Sequence, residues 1–328
     1  MTTLTDDAVQ ERLRPSAGAG LTFAVLSAMT FGMSGTMAKG LLVAGWTPAA
    51  AVTARILVAA LVLLVPGILA LRGRWHLLRD NAAFVVFYGL MVTAVTQFAY
   101  FSAVDHLQVG VALLIEYTAP VLVVMWLWLR YGQRPGRLTA IGGLVAALGL
   151  VLVLDLVSGA SLDAVGVSWA LLAMVGCAIY FVMSGHLGNG LPPVVLAAAG
   201  LLVGGLGLVI AGLVGLLDMT WTTAPASYDG VEVAWWIPVL GLGLVTCALA
   251  YTSGIVGIRA LGSRVASFVA LLEVVFALGF AWLVLDELPR PIQFLGGAAI
   301  LAGVVLVKLG ERRTSSVAAA ELSGQRTS

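Results

Sequence analysis

Long apolar segments, separated by short polar turns, follow one another along almost the whole chain. A helix needs about 20 mostly apolar residues to cross the hydrocarbon core of a bilayer. Ten segments fit this description, so we predict an all-α integral membrane protein with ten transmembrane helices. The predicted spans are residues 20–40, 48–71, 81–102, 109–130, 138–155, 164–186, 192–217, 234–257, 264–285 and 291–309.

The composition agrees with this interpretation. Of the 328 residues, 61% are hydrophobic and 10% are charged, and the mean hydropathy is +1.06. A soluble domain carries about a quarter charged residues and could not cover this much apolar surface. The net charge is +1 and no basic cluster stands out, so we expect a lipid bilayer and no nucleic acid as partner.

The positions of the basic residues indicate the orientation. If the N-terminus is cytoplasmic, 14 of the 17 lysines and arginines lie in cytoplasmic segments, which is the usual bias of membrane proteins. These residues are Arg12, Arg14, Arg72, Arg74, Arg79, Arg130, Arg134, Arg137, Arg259, Arg264, Lys308, Arg312, Arg313 and Arg326. We therefore predict that both termini are cytoplasmic.

The chain contains an internal repeat. A shift of 154 residues aligns 104–155 with 258–309 without a gap, and it matches Trp128 with Trp282, Pro135 with Pro289, and Gly142-Gly143 with Gly296-Gly297. Each half then holds five spans, and because five is odd, the halves enter the membrane from opposite sides. Such inverted-topology repeats recur in secondary transporters, whose substrate site lies near the midplane where the halves meet.

The repeat defines the predicted domain organisation. The first unit covers residues 20–155 (spans 1–5) and the second covers residues 164–309 (spans 6–10). Residues 1–19 form a cytoplasmic tail. Residues 310–328 are polar and rich in small residues, so we expect a disordered cytoplasmic tail there.

Both halves resemble the EamA domain of the drug/metabolite transporter superfamily. In the first half the resemblance is clearest at residues 114–120 (Leu-Ile-Glu-Tyr-Thr-Ala-Pro) and in the Gly142-Gly143 helix. In the second half it is clearest at residues 263–267 (Ser-Arg-Val-Ala-Ser), at Leu272-Glu273 and in the Gly296-Gly297 helix. The resemblance implies two EamA units, an inner-membrane location, and export or exchange of small metabolites such as amino acids.

Among the ionisable residues inside predicted spans, we single out Lys39, Arg55, Glu116 and Glu273. A charge at the centre of a transmembrane helix costs on the order of 2.5–3.5 kcal/mol, so such residues usually face a cavity or a partner. We expect Lys39 to extend to the membrane surface. Arg55 and Glu116 lie at similar depth, which permits an ion pair; alternatively, Arg55 binds a substrate carboxylate and Glu116 binds a proton or an amine.

Glu273 lies near the midplane and aligns with Ala119, one helical turn from Glu116 on the equivalent helix. We hypothesise that the two glutamates line a central cavity. Burial favours the neutral form of a carboxyl group, so either glutamate could exchange protons during transport. Further candidates for the substrate-facing surface are Gln97, Tyr100, Tyr117 and Tyr251.

The sequence shows no nucleotide-binding loop, metal-ligand cluster or catalytic motif, so we predict no cofactor, no metal and no enzyme activity. The leading hypothesis is a secondary transporter that exports a small metabolite and is driven by protons or another gradient. The first alternative is efflux of cationic or lipophilic drugs, which needs an acidic site but not Arg55. The second is an intramembrane enzyme that uses buried carboxylates. The sequence leaves the oligomeric state open.

Overall fold

The computed structural model describes residues 17–107, 109–132, 135–153, 163–185, 190–285 and 291–324. The α-helices are α1 (Ala17–Val43), α2 (Pro48–Leu71), α3 (Trp75–Asp80), α4 (Ala82–Tyr88), α5 (Thr96–His106), α6 (Val109–Glu116), α7 (Ala119–Tyr131), α8 (Arg137–Val153), α9 (Ala164–Ser184), α10 (Pro193–Leu213), α11 (Trp236–Gly243), α12 (Ala250–Leu261), α13 (Ser263–Val269), α14 (Leu272–Leu285) and α15 (Pro291–Gly324). Two π-helical segments, Gly89–Val95 and Leu244–Leu249, join α4 to α5 and α11 to α12. An antiparallel hairpin, β1 (Ala226–Tyr228) and β2 (Val231–Val233), lies between α10 and α11.

Within the described ranges, seven helical stretches are long and apolar enough to cross a membrane. They are Gly18–Val43, Pro48–Leu71, Ala82–His106, Ala164–Ser184, Pro193–Leu213, Trp236–Leu261 and Ser263–Val284. Three shorter apolar helices, Ala119–Arg130, Arg137–Leu152 and Phe294–Val307, fall in the other three predicted spans. The structure thus supports a multi-pass all-helical membrane protein, and the count of ten spans stays a prediction.

The outward faces of the helices are apolar. Leu61, Leu129 and Leu283 are 67%, 76% and 74% exposed, although they belong to three different helices. Large exposed apolar surfaces of this kind are rare in soluble monomers and are the normal surface of a protein in lipid. The helix faces that contact the bilayer therefore explain the high apolar content of the chain.

Helices α8 and α15 pack closely through glycines. A Cβ atom on Gly142 would lie 2.7 Å from the carbonyl oxygen of Gly303, and one on Gly149 would lie 2.7 Å from that of Gly296. The early glycine of each helix meets the late glycine of the other, so the helices are antiparallel. Because the 154-residue shift exchanges Gly142 with Gly296 and Gly149 with Gly303, the two contacts are copies of each other. This reciprocity supports two repeats related by a two-fold axis.

The other long helices also pack across the two halves. Helix α2 packs on α10, α1 packs on α12 and α14, and α9 packs on α5, α6 and α7. The largest buried cluster accordingly combines residues from both halves, among them Leu41, Ile56, Leu201 and Leu242. The core of the molecule is therefore the boundary between its halves.

The π-helical segments occur at matching places in the two halves, since Gly89–Val95 and Leu244–Leu249 lie about one repeat apart. Each segment begins beside a close helix contact: a Cβ on Gly89 would lie 2.7 Å from the Gly200 carbonyl oxygen, and one on Gly243 would lie 3.2 Å from that of Arg55. The wider π turn leaves backbone groups for other partners, and the hydroxyl of Thr93 donates to the carbonyls of Gly89 (2.6 Å) and Gly200 (2.9 Å). Such segments are frequent at functional sites.

Two of the predicted spans are interrupted. The span at 109–130 breaks between α6 and α7 at Tyr117-Thr118, and the span at 264–285 breaks between α13 and α14 at Ala270-Leu271. The backbone passes both breaks through tightened hydrogen bonds, from Thr118 N–H to Ile115 C=O (3.1 Å) and from Leu271 N–H to Phe268 C=O (3.2 Å). Pro120, which lacks an N–H, contributes to the first break, whereas residues 263–285 contain no proline.

One end of the bundle carries the β-hairpin and is called the hairpin end; α1 begins at the opposite end. The hydroxyl of Tyr228 donates to the Met37 carbonyl (2.7 Å), and burial raises the pKa of this tyrosine to about 12. The indole N–H of Trp46 donates to the Thr222 carbonyl (2.9 Å). These bonds tie the segment between α10 and α11 to the end of α1. The sequence analysis did not predict the hairpin or helix α3.

The C-terminal segment differs from the prediction. We expected disorder from residue 310, but α15 continues through Gly324. Alanine, glutamate and leucine at positions 318–322 are strong helix formers, and they extend a helix that is already nucleated. The predicted N-terminal tail lies outside the described residues as far as residue 16, as do residues 325–328.

Candidate functional site

A cavity of about 80 Å³ lies between the two halves. Its walls come from α1, α2, α5, α9 and α12, from the π segment before α5, and from the broken helix pairs α6–α7 and α13–α14. All seven residues proposed from the sequence line it: Arg55, Gln97, Tyr100, Glu116, Tyr117, Tyr251 and Glu273. The structure thus brings together side chains that lie up to 218 positions apart in the chain.

Arg55 is buried, with 1% of its surface exposed. Its guanidinium donates to the hydroxyl of Ser34 (2.9 Å), the side-chain oxygen of Gln97 (3.1 Å) and the Thr246 carbonyl in the second π segment (2.6 Å). It also lies over the ring of Phe31, 5.8 Å from the ring centroid. In the described part of the chain, its Nε–H has no hydrogen-bond partner. The cation is therefore held by neutral groups.

Arg55 and Glu116 form no ion pair among the described residues, although both line the cavity. The ion-pair alternative that the sequence left open is therefore not realised in this structure. A buried guanidinium without a contacting anion is costly. The cost is reduced here by three hydrogen bonds and a cation–π contact.

Gln97 and Tyr251 are hydrogen-bonded to each other. The side-chain N–H of Gln97 donates to the Tyr251 hydroxyl at 3.0 Å, and the two residues lie 154 positions apart. The same shift aligns the two halves of the sequence, so the bond joins positions that are equivalent in that alignment. Gln97 also accepts from Arg55, so the bond connects the charged wall of the cavity to α12.

The two glutamates lie at the broken turns. Glu116 is the last residue of α6, and Glu273 is in the first turn of α14. Both are half-buried, and the hydroxyl of Tyr117 is hydrogen-bonded to Glu273. The N-terminus of α14 carries the positive end of the helix dipole, which favours a carboxylate at Glu273. The break before α14 therefore helps to accommodate Glu273, whereas Glu116 lies at the C-terminal end of α6 and gains no such stabilisation from that helix.

The sequence analysis did not select several further lining residues. Ser27, Ser34, Thr96, Cys177 and Tyr180 all face the cavity. Ser27 and Ser34 lie seven positions apart on α1, a spacing that places them on one helix face, so this pattern was a usable signal. The hydroxyl of Tyr180 is buried and has no hydrogen-bond partner within the described ranges.

The arrangement of the lining side chains is suited to binding a small molecule. No group of three or more His, Cys, Asp or Glu residues that could hold a metal occurs in the described part of the chain. The lining combines one cation, two carboxyl groups and several aromatic rings. Such a cavity can bind a small polar molecule in a defined orientation.

The fold and the cavity define a class, that of multi-pass helical membrane proteins with a polar cavity between two halves. Comparison with known proteins gives the family: the chain matches the EamA-like transporter family over residues 18–155 and 164–309, and it belongs to that family. The resemblance inferred from the sequence motifs is thereby confirmed. A membrane transporter is accordingly favoured over the intramembrane enzyme.

One relative and one solved structure extend the comparison. The "Uncharacterized transporter YwfM" of Bacillus subtilis (strain 168) is 24% identical over 240 residues, which is 73% of this chain and 78% of that protein. A protein of known crystal structure shares 20% sequence identity and superposes with a TM-score of 0.73, covering 92% of this chain and 99% of its own. At this identity the likeness shows the fold alone.

Proposed function

We propose that the chain is a secondary transporter of the cell (inner or plasma) membrane that exports a small zwitterionic metabolite, such as an amino acid. Transport proceeds by alternating access and is coupled to protons. The observation that carries the proposal is the cavity between the halves, which places Arg55 on one wall and Glu116 and Glu273 at the broken turns.

The helix packing supports alternating access. Helices α8 and α15 are equivalent in the repeat alignment and run antiparallel, as expected for halves of opposite orientation. Two similar halves of opposite orientation can exchange conformations, which converts an opening on one side into an opening on the other. Interrupted helices at the site, here α6–α7 and α13–α14, recur in carriers that bind substrate near the midplane.

The charges of the cavity match a zwitterion. Arg55 lines the cavity and can bind a carboxylate, for which a guanidinium is well suited. Glu116 and Glu273 can bind an ammonium group on the other side. The volume of about 80 Å³ suits a small metabolite, because pockets for drug-sized ligands are usually about 300–1,000 Å³.

The two glutamates support proton coupling. Each lies in a desolvated environment, and each raises the energetic cost of ionising the other, since like charges repel across the cavity. Among the described residues neither glutamate forms an ion pair. Proton uptake can neutralise the carboxylate that a departing ammonium group leaves unpaired, so that the empty cavity returns without an unpaired carboxylate at that position.

Efflux of cationic or lipophilic drugs is the second candidate. Phe31, Tyr180 and Tyr251 form edge-to-face aromatic contacts along the cavity, and aromatic rings beside an acid can bind a lipophilic cation. This function would need an acidic residue and no guanidinium. The buried position of Arg55 and the small volume of the cavity favour the zwitterion.

The proposed orientation places both termini in the cytoplasm, with the hairpin end outside. It rests on the distribution of lysine and arginine, which favours the opposite end as the cytoplasmic one. The proposed membrane is the one that the sequence resemblance implies.

The function is tested by transport into proteoliposomes. Purified protein is assayed with labelled amino acids and cationic dyes, with and without a pH gradient, in parallel with Glu116→Gln and Glu273→Gln. Glu232→Gln is the matched control, because Glu232 is an exposed acid on β2 outside the cavity. We expect gradient-dependent amino-acid flux that falls at least about tenfold in one cavity variant and is unchanged in the control. Equal flux in all four proteins would reject the carboxylate mechanism.

A further inference from the structure

The two ends of the central cavity are closed in different ways. At the hairpin end, the aromatic residues Tyr100 and Phe101 form the floor of a second cavity of about 290 Å³ between the ends of α1 and α5. Tyr100 lines both spaces. Lys39 and Asp105, on the rim of the second cavity, are exposed. Among the described residues, Tyr100 therefore stands between the central cavity and the second cavity at this end.

At the opposite end, Arg259 joins α12 to the segment between α9 and α10. Its guanidinium donates to the carbonyl of Leu191, and its Nε–H donates to the carbonyl of Ser184 at 3.4 Å. Ser184 is fully buried, and its hydroxyl is hydrogen-bonded to the Tyr88 hydroxyl at 3.1 Å. The central cavity extends as far as Ile258, one residue before this contact. Arg259 thus holds α12 against the α9–α10 segment just beyond the last residue of α12 that lines the cavity.

The repeat shows that these two ends are equivalent places. The 154-residue shift relates Asp105 to Arg259. The α1–α12 and α9–α5 contacts are also copies of each other: a Cβ on Gly20 would meet Ala260 and Leu261, and one on Gly166 would meet His106 and Leu107.

Lys39 and Gly185, at the end of α9, are separated by the same number of residues as Gly20 and Gly166. The match of the two glycines therefore makes Lys39 and Gly185 equivalent positions. At Gly185 a Cβ would lie 2.2 Å from the hydroxyl oxygen of Ser263 and 3.3 Å from the Phe181 carbonyl oxygen, so this place is packed shut. The equivalent place at Lys39 borders the open cavity of about 290 Å³. Among the described residues, the same position is thus tightly packed at one end of the molecule and borders a cavity at the other.

We infer that the hydrogen bonds of Arg259 hold the cytoplasmic entrance closed, a role that we call the latch, and that this structure is an outward-facing state of the transport cycle. The inference rests on the proposed alternating access and orientation. Opening toward the cytoplasm requires α12 to separate from the α9–α10 segment, which breaks the two charge-assisted bonds of Arg259. Loss of these bonds removes stabilisation that only the closed state has, and so shifts the population toward the inward-open state.

The test uses Cys177, which lines the cavity seven residues, or about 10 Å, before Ser184 on α9. The sequence has one other cysteine, Cys247, which is fully buried and is replaced by alanine. A membrane-impermeant maleimide is applied from the cytoplasmic side to protein in vesicles. We expect slow labelling of Cys177 with arginine at 259 and labelling about tenfold faster in Arg259→Met.

Arg72→Met is the matched control, because Arg72 is exposed at the same end and the charge change is identical. Arg259→Lys keeps the cation but loses the planar set of donors, so we expect an intermediate rate; it also serves if the methionine variant does not fold. Labelling that stays at the slow rate in both Arg259 variants, or that rises equally in Arg72→Met, would overturn the latch. The readout needs no substrate, so it remains interpretable if the transport assay fails.

Discussion

At the scale of single residues, the cavity contains two tyrosines that differ in one respect. The Tyr251 hydroxyl accepts from Gln97 and donates to the Val92 carbonyl at 3.4 Å, whereas the Tyr180 hydroxyl has no partner in the described structure. Their rings contact each other edge to face at 5.6 Å. Substituting each tyrosine in turn therefore distinguishes the contribution of a hydrogen-bonded hydroxyl from that of a hydroxyl without a partner in the described structure.

We predict that Tyr251→Phe lowers the free energy of unfolding by about 1 kcal/mol, because Gln97 loses its acceptor inside the bundle. Tyr180→Phe removes a buried hydroxyl that makes no bond, so its stability should be unchanged or slightly higher. Denaturant unfolding in detergent measures both. A loss of stability in Tyr180→Phe as large as in Tyr251→Phe would show that Tyr180 has a partner in the folded protein. If Tyr180 binds substrate, its variant should lose transport but not stability.

At the scale of helices, the glycines of α8 and α15 permit an approach that no larger residue allows. A Cβ on Gly303 would lie 2.6 Å from the Ala146 nitrogen and from the Gly142 carbonyl oxygen. These are backbone atoms, which cannot move away without separating the helices. On the same helix, a Cβ on Gly297 would meet its nearest neighbour at 4.0 Å.

We therefore predict opposite effects for two alanine substitutions on one helix. Gly303→Ala should destabilise the protein by about 1–3 kcal/mol through overpacking. Gly297→Ala should be neutral or should stabilise by a few tenths of a kcal/mol up to about 1 kcal/mol, because alanine is the better helix former. Thermal unfolding of the purified variants compares the two. A destabilised Gly297→Ala together with an unchanged Gly303→Ala would contradict the packing of α8 on α15.

The helix scale also shows what the sequence could predict. Hydropathy located the apolar helices within a few residues, since lipid contact requires long apolar runs. We selected the seven site residues because charged and polar groups inside a membrane are costly unless they face a cavity or a partner. All seven line one cavity. Their role as a binding site remains a proposal.

Other features of the fold could not be predicted from the hydropathy pattern of the sequence. The π segments contain ordinary apolar residues, and the break before α14 contains no proline. Both arise from packing between distant helices, such as Gly89 on Gly200, which a linear pattern does not encode. The partners of Arg55 were missed for the same reason, because Ser34 and the Thr246 carbonyl reach it only in the folded bundle.

At the scale of the whole molecule, most of the long-helix contacts join one half to the other. We predict that a protease site inserted between residues 154 and 162 can be cleaved without separating the halves. The two fragments should co-purify in mild detergent through a tag on one of them, and Gly303→Ala should weaken their association. Fragments that separate on cleavage would show that the buried surface between the halves is too weak to hold them.

The reciprocal contact of Gly142 with Gly303 and Gly149 with Gly296 has a further consequence. A half with this surface is its own complement, so two identical copies inserted in opposite directions could pair through it as a symmetric dimer. When the two copies are joined in one chain, each molecule contains one copy in each orientation. A residue in one copy can then be substituted while the equivalent residue in the other copy stays the same. Asp105 and Arg259 are such a pair, with opposite charges at equivalent places. A fused duplicate can therefore place different side chains at its two entrances, whereas a symmetric dimer must place the same side chains at both.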